Sequence, residues 1–218
     1  ADILVVPDLE SGNMVAKQLE YLGNAQVGRL LTRTDPVSLP VASPVQAPSG
    51  HRTANLNNPS QSPGDWATLR HLTVQGQAGV VSVPAGAYGD FTANGQCGFR
   101  LGTLDASEPE VYHFQRLTLN GQSRLEVVGP VIVHLGHGLT LNASMGQADQ
   151  PDWLQLHLPA GGVTLNGNSR LDAIVIAPKG TVIINGNSEL HGRVACSRLT
   201  LNGNGKLMAA GQNLPGGG

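Results

Sequence analysis

The sequence is short of charge, of aromatic side chains and of cysteine. Charged residues make up 13% of its 218 positions and nearly balance, 13 Lys and Arg against 15 Asp and Glu, for a formal charge of −2. An average globular protein carries about 25%. No basic stripe emerges, so the electrostatic footprint of a nucleic-acid binder is absent. No apolar run approaches the roughly 18 residues that a membrane-spanning helix needs, and no signal peptide opens the chain as given. Cys97 and Cys196 are the only cysteines. They have no metal-like spacing and leave the redox compartment open. P-loop, HExxH and G-x-S-x-G patterns are missing. Between Leu72 and Leu207 there is no 3.6-residue periodicity, which argues against a helical solenoid.

What is abundant is glycine, at 29 residues, within a chain that is still 40% hydrophobic. That combination suits many short strands joined by tight turns. One phrase returns seven times: LTVQGQ from Leu72, FTANGQ from Phe91, LTLNGQ from Leu117, LTLNAS from Leu139, VTLNGN from Val163, VIINGN from Val182 and LTLNGN from Leu199. Its second positions, Thr73, Thr92, Thr118, Thr140, Thr164, Ile183 and Thr200, are spaced by 19, 26, 22, 24, 19 and 17 residues. After the turn the phrase often resumes with a polar residue and Leu, as at Leu125, Leu171, Leu190 and Leu207.

Alternation of Leu with Thr is strand periodicity: Leu117 and Leu119 point one way and Thr118 the other. Asn-Gly then ends the strand, because both residues tolerate positive φ. A unit of about 20 residues cannot bury its own apolar face and must stack on its neighbours. With two further strands per unit, the predicted fold is an all-β, right-handed parallel β-solenoid (β-helix) of about seven or eight coils. Stacking sets Leu above Leu, Thr above Thr and Asn above Asn at about 4.8 Å. Leu119, Leu141, Leu165, Ile184 and Leu201 are expected to form one buried column. Cys97 and Cys196 fall about five rungs apart, roughly 24 Å along the axis, too far for a disulfide.

Four segments follow. Residues 1–34 form an N-terminal segment that suits either an extra coil, from LEYLGNAQV at Leu19, or a short helix over Ser11–Leu22. Residues 35–65 hold Pro36, Pro40, Pro44, Pro48, Pro59 and Pro63 and read as an extended linker, either disordered or lying along the outside of the solenoid. Residues 66–210 form the solenoid, and 211–218 a flexible tail.

Several stretches resemble a family of surface β-solenoid domains found in PilX-type pilus-associated proteins. They are PAGAYGDF from Pro84, VYHFQRLTLNGQSRLEVVGPVIV from Val111, GVTLNGNSRLDAIVIAPKGTVIINGNSELHG from Gly162 and RLTLNGNGKL from Arg198. That resemblance covers about two-thirds of the chain and implies an extracellular or cell-surface role with no known chemistry. The final coils are similar to bactofilins, which polymerise end to end. Separately, ADILVVPDLESGNMVAKQLEYLG at residues 1–23 is similar to a segment of phosphate acetyltransferases and butyryltransferases. Nothing after it continues that enzyme's α/β fold, so no activity or site is carried over.

Three constellations could bear function. Asn120, Asn142, Asn166, Asn185 and Asn202 form a column suited to a structural ladder of side-chain amides, with glycan or ion binding as the alternative. Thr118, Thr140, Thr164 and Thr200 belong to an outward column like those of ice-binding solenoids. Ile183 interrupts it, and Arg116, Arg124, Arg170 and Arg198 flank it. His113, His134 and His157 precede their Thr by five, six and seven residues. They stack on one face if the corners absorb the difference, and three imidazoles so close are candidate Zn²⁺ ligands. Asp90, Asp105, Glu126, Asp152, Asp172 and Glu189 are scattered over different positions of the repeat, unlike a pectate-lyase-like or glycosidase centre. The expected protein is therefore a structural or adhesive surface module, without catalytic residues, resident metal or cofactor. It self-associates end to end or contacts surface glycans and other envelope proteins, and carries no transmembrane segment. A ligand-binding module for glycan or ice and a carbohydrate-active enzyme are the alternatives.

Overall fold

The computed structural model describes residues 39–209. The predicted helix or extra coil in residues 1–34, the acyltransferase-like stretch at 1–23 and the tail at 211–218 lie outside that range. Among the described residues there is no α-helix, only two short 3-10 turns at Trp66–Thr68 and Pro151–Trp153.

All pairings are parallel, and the chain is a β-solenoid with three faces. The phrase face stacks β1 (Arg52–Leu56), β2 (Leu69–Val74), β4 (Gly86–Asn94), β6 (Glu110–Asn120), β9 (Leu139–Leu141) and β12 (Val163–Leu165). The last stretches of β13 (Arg170–Ile184) and β14 (Glu189–Leu201) complete it. The post-turn face stacks β3 (Val80–Ser82), β5 (Gly98–Leu101), β7 (Arg124–Val127), β10 (Ser144–Gly146), the first stretches of β13 and β14, and β15 (Lys206–Met208). The third face is built by the early parts of β4 and β6, by β8 (Val131–Leu135) and β11 (Leu154–His157), and by the middle of β13 and β14. Thr73, Thr92 and Thr118 pair in one register, as do Thr140, Thr164, Ile183 and Thr200.

Among the described residues the phrase face holds eight rungs, one more than the repeated phrase. The first is Ala54–Asn55–Leu56, paired with Leu72–Thr73–Val74. It lies inside the stretch 35–65 expected to be linker, so the solenoid starts earlier than residue 66. Ala and Asn occupy its Leu and Thr places, and this weakens the pattern that marks the other coils. The remainder, residues 39–49, runs along the outside.

Inside, Leu119, Leu141, Leu165 and Ile184 are fully buried, each stacked on the next. Leu201 departs from the expectation: it is only partly buried, because no described coil covers the last rung. The filling changes along the axis. Tyr88, Phe91, Phe99, Tyr112 and Phe114 pack ring on ring in the N-terminal half, with Phe91 and Phe114 centroids 5.0 Å apart. Aliphatic side chains fill the rest. Each Asn-Gly turn puts glycine at positive φ, 68° at Gly121 and 70° at Gly167, a conformation that a Cβ disfavours. Gly50, where the outer segment enters the first coil, is buried against backbone, and a methyl there would collide with the Leu69 carbonyl.

Candidate functional site

Two amide ladders run down the turn after the phrase. In the first, Asn120 Nδ2 donates to Asn94 Oδ1 at 2.9 Å, Asn185 to Asn166 at 2.9 Å and Asn202 to Asn185 at 2.8 Å. Gln75 Nε2 makes the same bond to Asn57 Oδ1 at 2.8 Å. Asn142 occupies this column by register, between Asn120 and Asn166. The second ladder was not anticipated. Asn204 donates to Asn187 at 2.9 Å and Asn187 to Asn168 at 3.2 Å, with Gln96 and Gln122 joined in the coils below. The repeated N-G-N and N-G-Q turns were its signal. Stacked amides suit this place because each has a donor and an acceptor to offer to successive rungs. Within the turn Ser188 and Ser169 are buried and hydrogen-bonded to each other at 3.1 Å.

The post-turn face carries paired charge. Glu126 receives Arg100 and Arg124, at 2.8 and 2.7 Å. Burial pushes its carboxyl upward, but hydrogen bonds from both arginines and their charges outweigh that and hold it below the usual carboxylate range. Asp172, buried, is bound by Arg170 at 2.8 Å. Arg124 and Arg170 therefore belong to this face and do not flank the threonines; only Arg116 and Arg198 stand two residues before a column Thr. Glu189 contacts His191 and Lys206, and Asp152 contacts Arg193. Asp105 holds a corner at φ 58°. Glu126 and Asp172 share one column two rungs apart, with Gly146 between, yet each is engaged by arginine.

The histidines meet on the third face. His113 pairs in register with His134, and His134 with His157, flanked by Ala87 below and Ile176 above. Corners of different length absorb the one-residue offsets, using Gly136 and Gly138 in one coil and Gly161 and Gly162 in the next. The rings of His113 and His134 stack at 4.6 Å and 12°, and His157 meets His134 edge-on at 4.9 Å. Stacked rings point their nitrogens alongside one another and do not converge on a point. Among the described residues no group of His, Cys, Asp or Glu is arranged to hold a metal ion, so this triad does not fit Zn²⁺. The structural surprise is what covers it. Residues 39–49 cross this face, with Leu39, Ala42, Val45 and Pro48 partly buried and most of the residues between them exposed. That is the three-residue period of a polyproline II helix. Gln46 donates its backbone N–H to His113 Nδ1 at 3.2 Å, and Gln115 Nε2 returns a bond to the Gln46 carbonyl at 3.1 Å.

No family model matches the chain, and no solved structure matches it. Among curated proteins it is similar over short stretches to phosphate acetyltransferases. With that of Rickettsia prowazekii (strain Madrid E) it is 46% identical over 74 residues, covering 28% of this chain and 21% of the relative. With that of Rickettsia felis it is 51% identical over 57 residues, covering 22% and 16%, and with that of Rickettsia typhi 47% identical over 57 residues, again covering 22% and 16%. The chain thus spans about a fifth or less of the length of the curated relatives it matches.

Proposed function

We infer that this chain is a non-catalytic structural module of a cell surface, and that its copies stack coil upon coil. The observation that carries this reading is the one-way sense of the first amide ladder. In the first ladder, from Asn202 to Asn185 to Asn166, from Asn120 to Asn94 and from Gln75 to Asn57, the amide of the later coil donates to the carbonyl of the earlier one, whereas in the second ladder Gln96 donates to Gln122 in the opposite sense. Among the described residues this leaves an acceptor on Asn202 at one end and a donor on Asn57 at the other. The first coil of a second copy, set on the eighth of the first, continues the ladder in the same sense. Val194, Leu199, Leu201 and Leu207 in the last coil are only partly buried, which adds an apolar reason to stack. Open parallel rungs recruit further strands, and a head-to-tail contact of this kind propagates without closing.

The resemblance of the repeats to surface solenoids supports the location, with envelope proteins or glycans as neighbours. Engagement of the carboxylates of Glu126, Asp172 and Glu189 by cationic partners supports a non-catalytic role. Sedimentation velocity across a wide concentration range, with negative-stain electron microscopy of the same samples, tests the assembly. Filaments or a series of growing oligomers are expected; a monomer at every concentration overturns it.

A second reading has one observation in its favour. The aligned threonines and the adjoining Asn column make an ordered array of polar side chains, suited to a glycan. Binding on a glycan array that is lost in Thr140→Arg would support it. Ice is less suited, because Ile183 interrupts the array and Arg116 and Arg198 project beside it.

A further inference from the structure

Two imidazoles, His113 and His134, lie beneath an uncharged segment, with His157 packed edge-on against His134, and the contact depends on the rings being neutral. His113 and His134 project from the outer side of the third face, yet they are only 8% and 6% exposed, because residues 39–49 lie across them. That segment, LPVASPVQAPS, has no charged residue. The outward neighbours on the same strands and the corners that follow them are Val111 and Gln115, Ile132 and Gly136, and Gln155 and Pro159; Ala87 and Ile176 close the column. None is charged. The Gln46 N–H points at Nδ1 of His113, so that nitrogen must carry a lone pair. Among the described residues His134 Nδ1 and both ring nitrogens of His157 are buried without a hydrogen-bond partner. A proton added to any of these rings finds no carboxylate, and at His113 it sets one N–H against another.

We propose that the histidine face is a docking surface for an uncharged, proline-rich extended segment, filled at neutral pH by residues 39–49 of the same chain and vacated when the histidines take up protons. This goes beyond stacking of copies and does not depend on it. Burial holds all three imidazoles below their ordinary range. His134 is driven to about 4, by burial first and then by the neighbouring charges of His113 and His157, with a hydrogen bond to the Ser43 backbone acting the other way. Once the segment leaves, each ring regains water and returns toward about 6.5. The open state then binds protons that the closed state excludes. Docking is fully favoured above about pH 6.5 and weakens as pH falls toward 4, by on the order of a hundredfold in the open-to-closed ratio for one ring shifted as His134 is. Further protonation within the stack adds repulsion between imidazolium rings.

The test uses the full chain in a Cys196→Ser background, with nitroxide labels at Val41→Cys and Thr140→Cys. Both positions are exposed, whereas Cys97 is buried and stays unlabelled. Pulsed electron resonance is expected to give one narrow distance distribution at pH 7.5 and a broad, longer one at pH 4, while circular dichroism shows the solenoid intact. In H113Q/H134Q/H157Q the acid-induced broadening is expected to vanish. A distribution that stays narrow at pH 4 in the parent overturns the proposal, as does equal acid broadening in the triple variant. Should the triple variant be open already at neutral pH, the parent decides through its imidazole resonances. Ring titration and segment release with coincident midpoints support the proposal; midpoints more than about one pH unit apart overturn it.

Discussion

Asn185 gives its side-chain N–H to Asn166 one coil below, at 2.9 Å, and takes the corresponding bond from Asn202 one coil above, at 2.8 Å. Each amide in such a column serves two rungs at once. A residue inside the column should therefore count for more than one at its end.

Asn185→Ala removes both bonds and strands the amides of Asn166 and Asn202. At about 0.5–1.5 kcal/mol for a typical hydrogen bond, the expected loss is about 1–3 kcal/mol. Asn202→Ala removes one bond at an exposed end and should cost less than half of that. Urea denaturation followed by circular dichroism measures both.

Leu165 and Thr164 are adjacent in β12 and face opposite ways, Leu165 fully buried and Thr164 outward and part-exposed. Leu165→Ala leaves a cavity between two rungs and should cost about 2–5 kcal/mol. Thr164→Ala, on the outer side, should cost under about 1 kcal/mol. Similar losses from the two substitutions would contradict the inward and outward assignment.

Cys97 and Cys196 are both free thiols, one buried and one partly exposed near the last coil. Burial raises the Cys196 thiol above its ordinary range, and that slows alkylation even where reagent can reach it. Timed iodoacetamide labelling of the native protein should modify Cys196 slowly and Cys97 only after unfolding. Peptide mapping under oxidising conditions should recover no intramolecular Cys97–Cys196 bond.

Glu126 sits between Arg100 and Arg124, and its depressed pKa means that the folded state favours the carboxylate. The stabilisation is present above about pH 4.5 and disappears as pH falls through the lowered value. The partners are partly exposed, so solvent screens the pairs. Glu126→Gln should cost only about 0.5–1 kcal/mol at pH 7, and the difference should vanish once the pH lies below the lowered value. Thermal melts of both proteins across that range, compared at low and high salt, provide the check.

The chain shows where a repeat speaks plainly and where it falls silent. Leu119, Leu141 and Leu165 recur in a phrase whose alternation already separates inside from outside, so their column and the adjoining Asn column are readable before any coordinates. The first rung escapes, because Ala54 and Asn55 keep the geometry of the phrase without its residues. The column of Arg100, Glu126 and Asp172 was legible as well, because each lies eight residues after the Thr of its phrase, Thr92, Thr118 and Thr164; Gly146, six residues after Thr140, alone breaks that spacing and hides the column.

The sequence by itself determined the period of the coils, the inward leucines and the outward threonines and amides. Stacking identical units at about 4.8 Å admits few other ways to bury a Leu-x-Leu strand. Only the tertiary structure decided the path of residues 39–49 and the covering of His113 and His134. That contact joins Gln46 to His113 across 67 positions. It belongs to no repeat, and an extended proline-rich segment makes few hydrogen bonds of its own. Its place is chosen by the surface it meets, and that surface exists only after the coils have stacked.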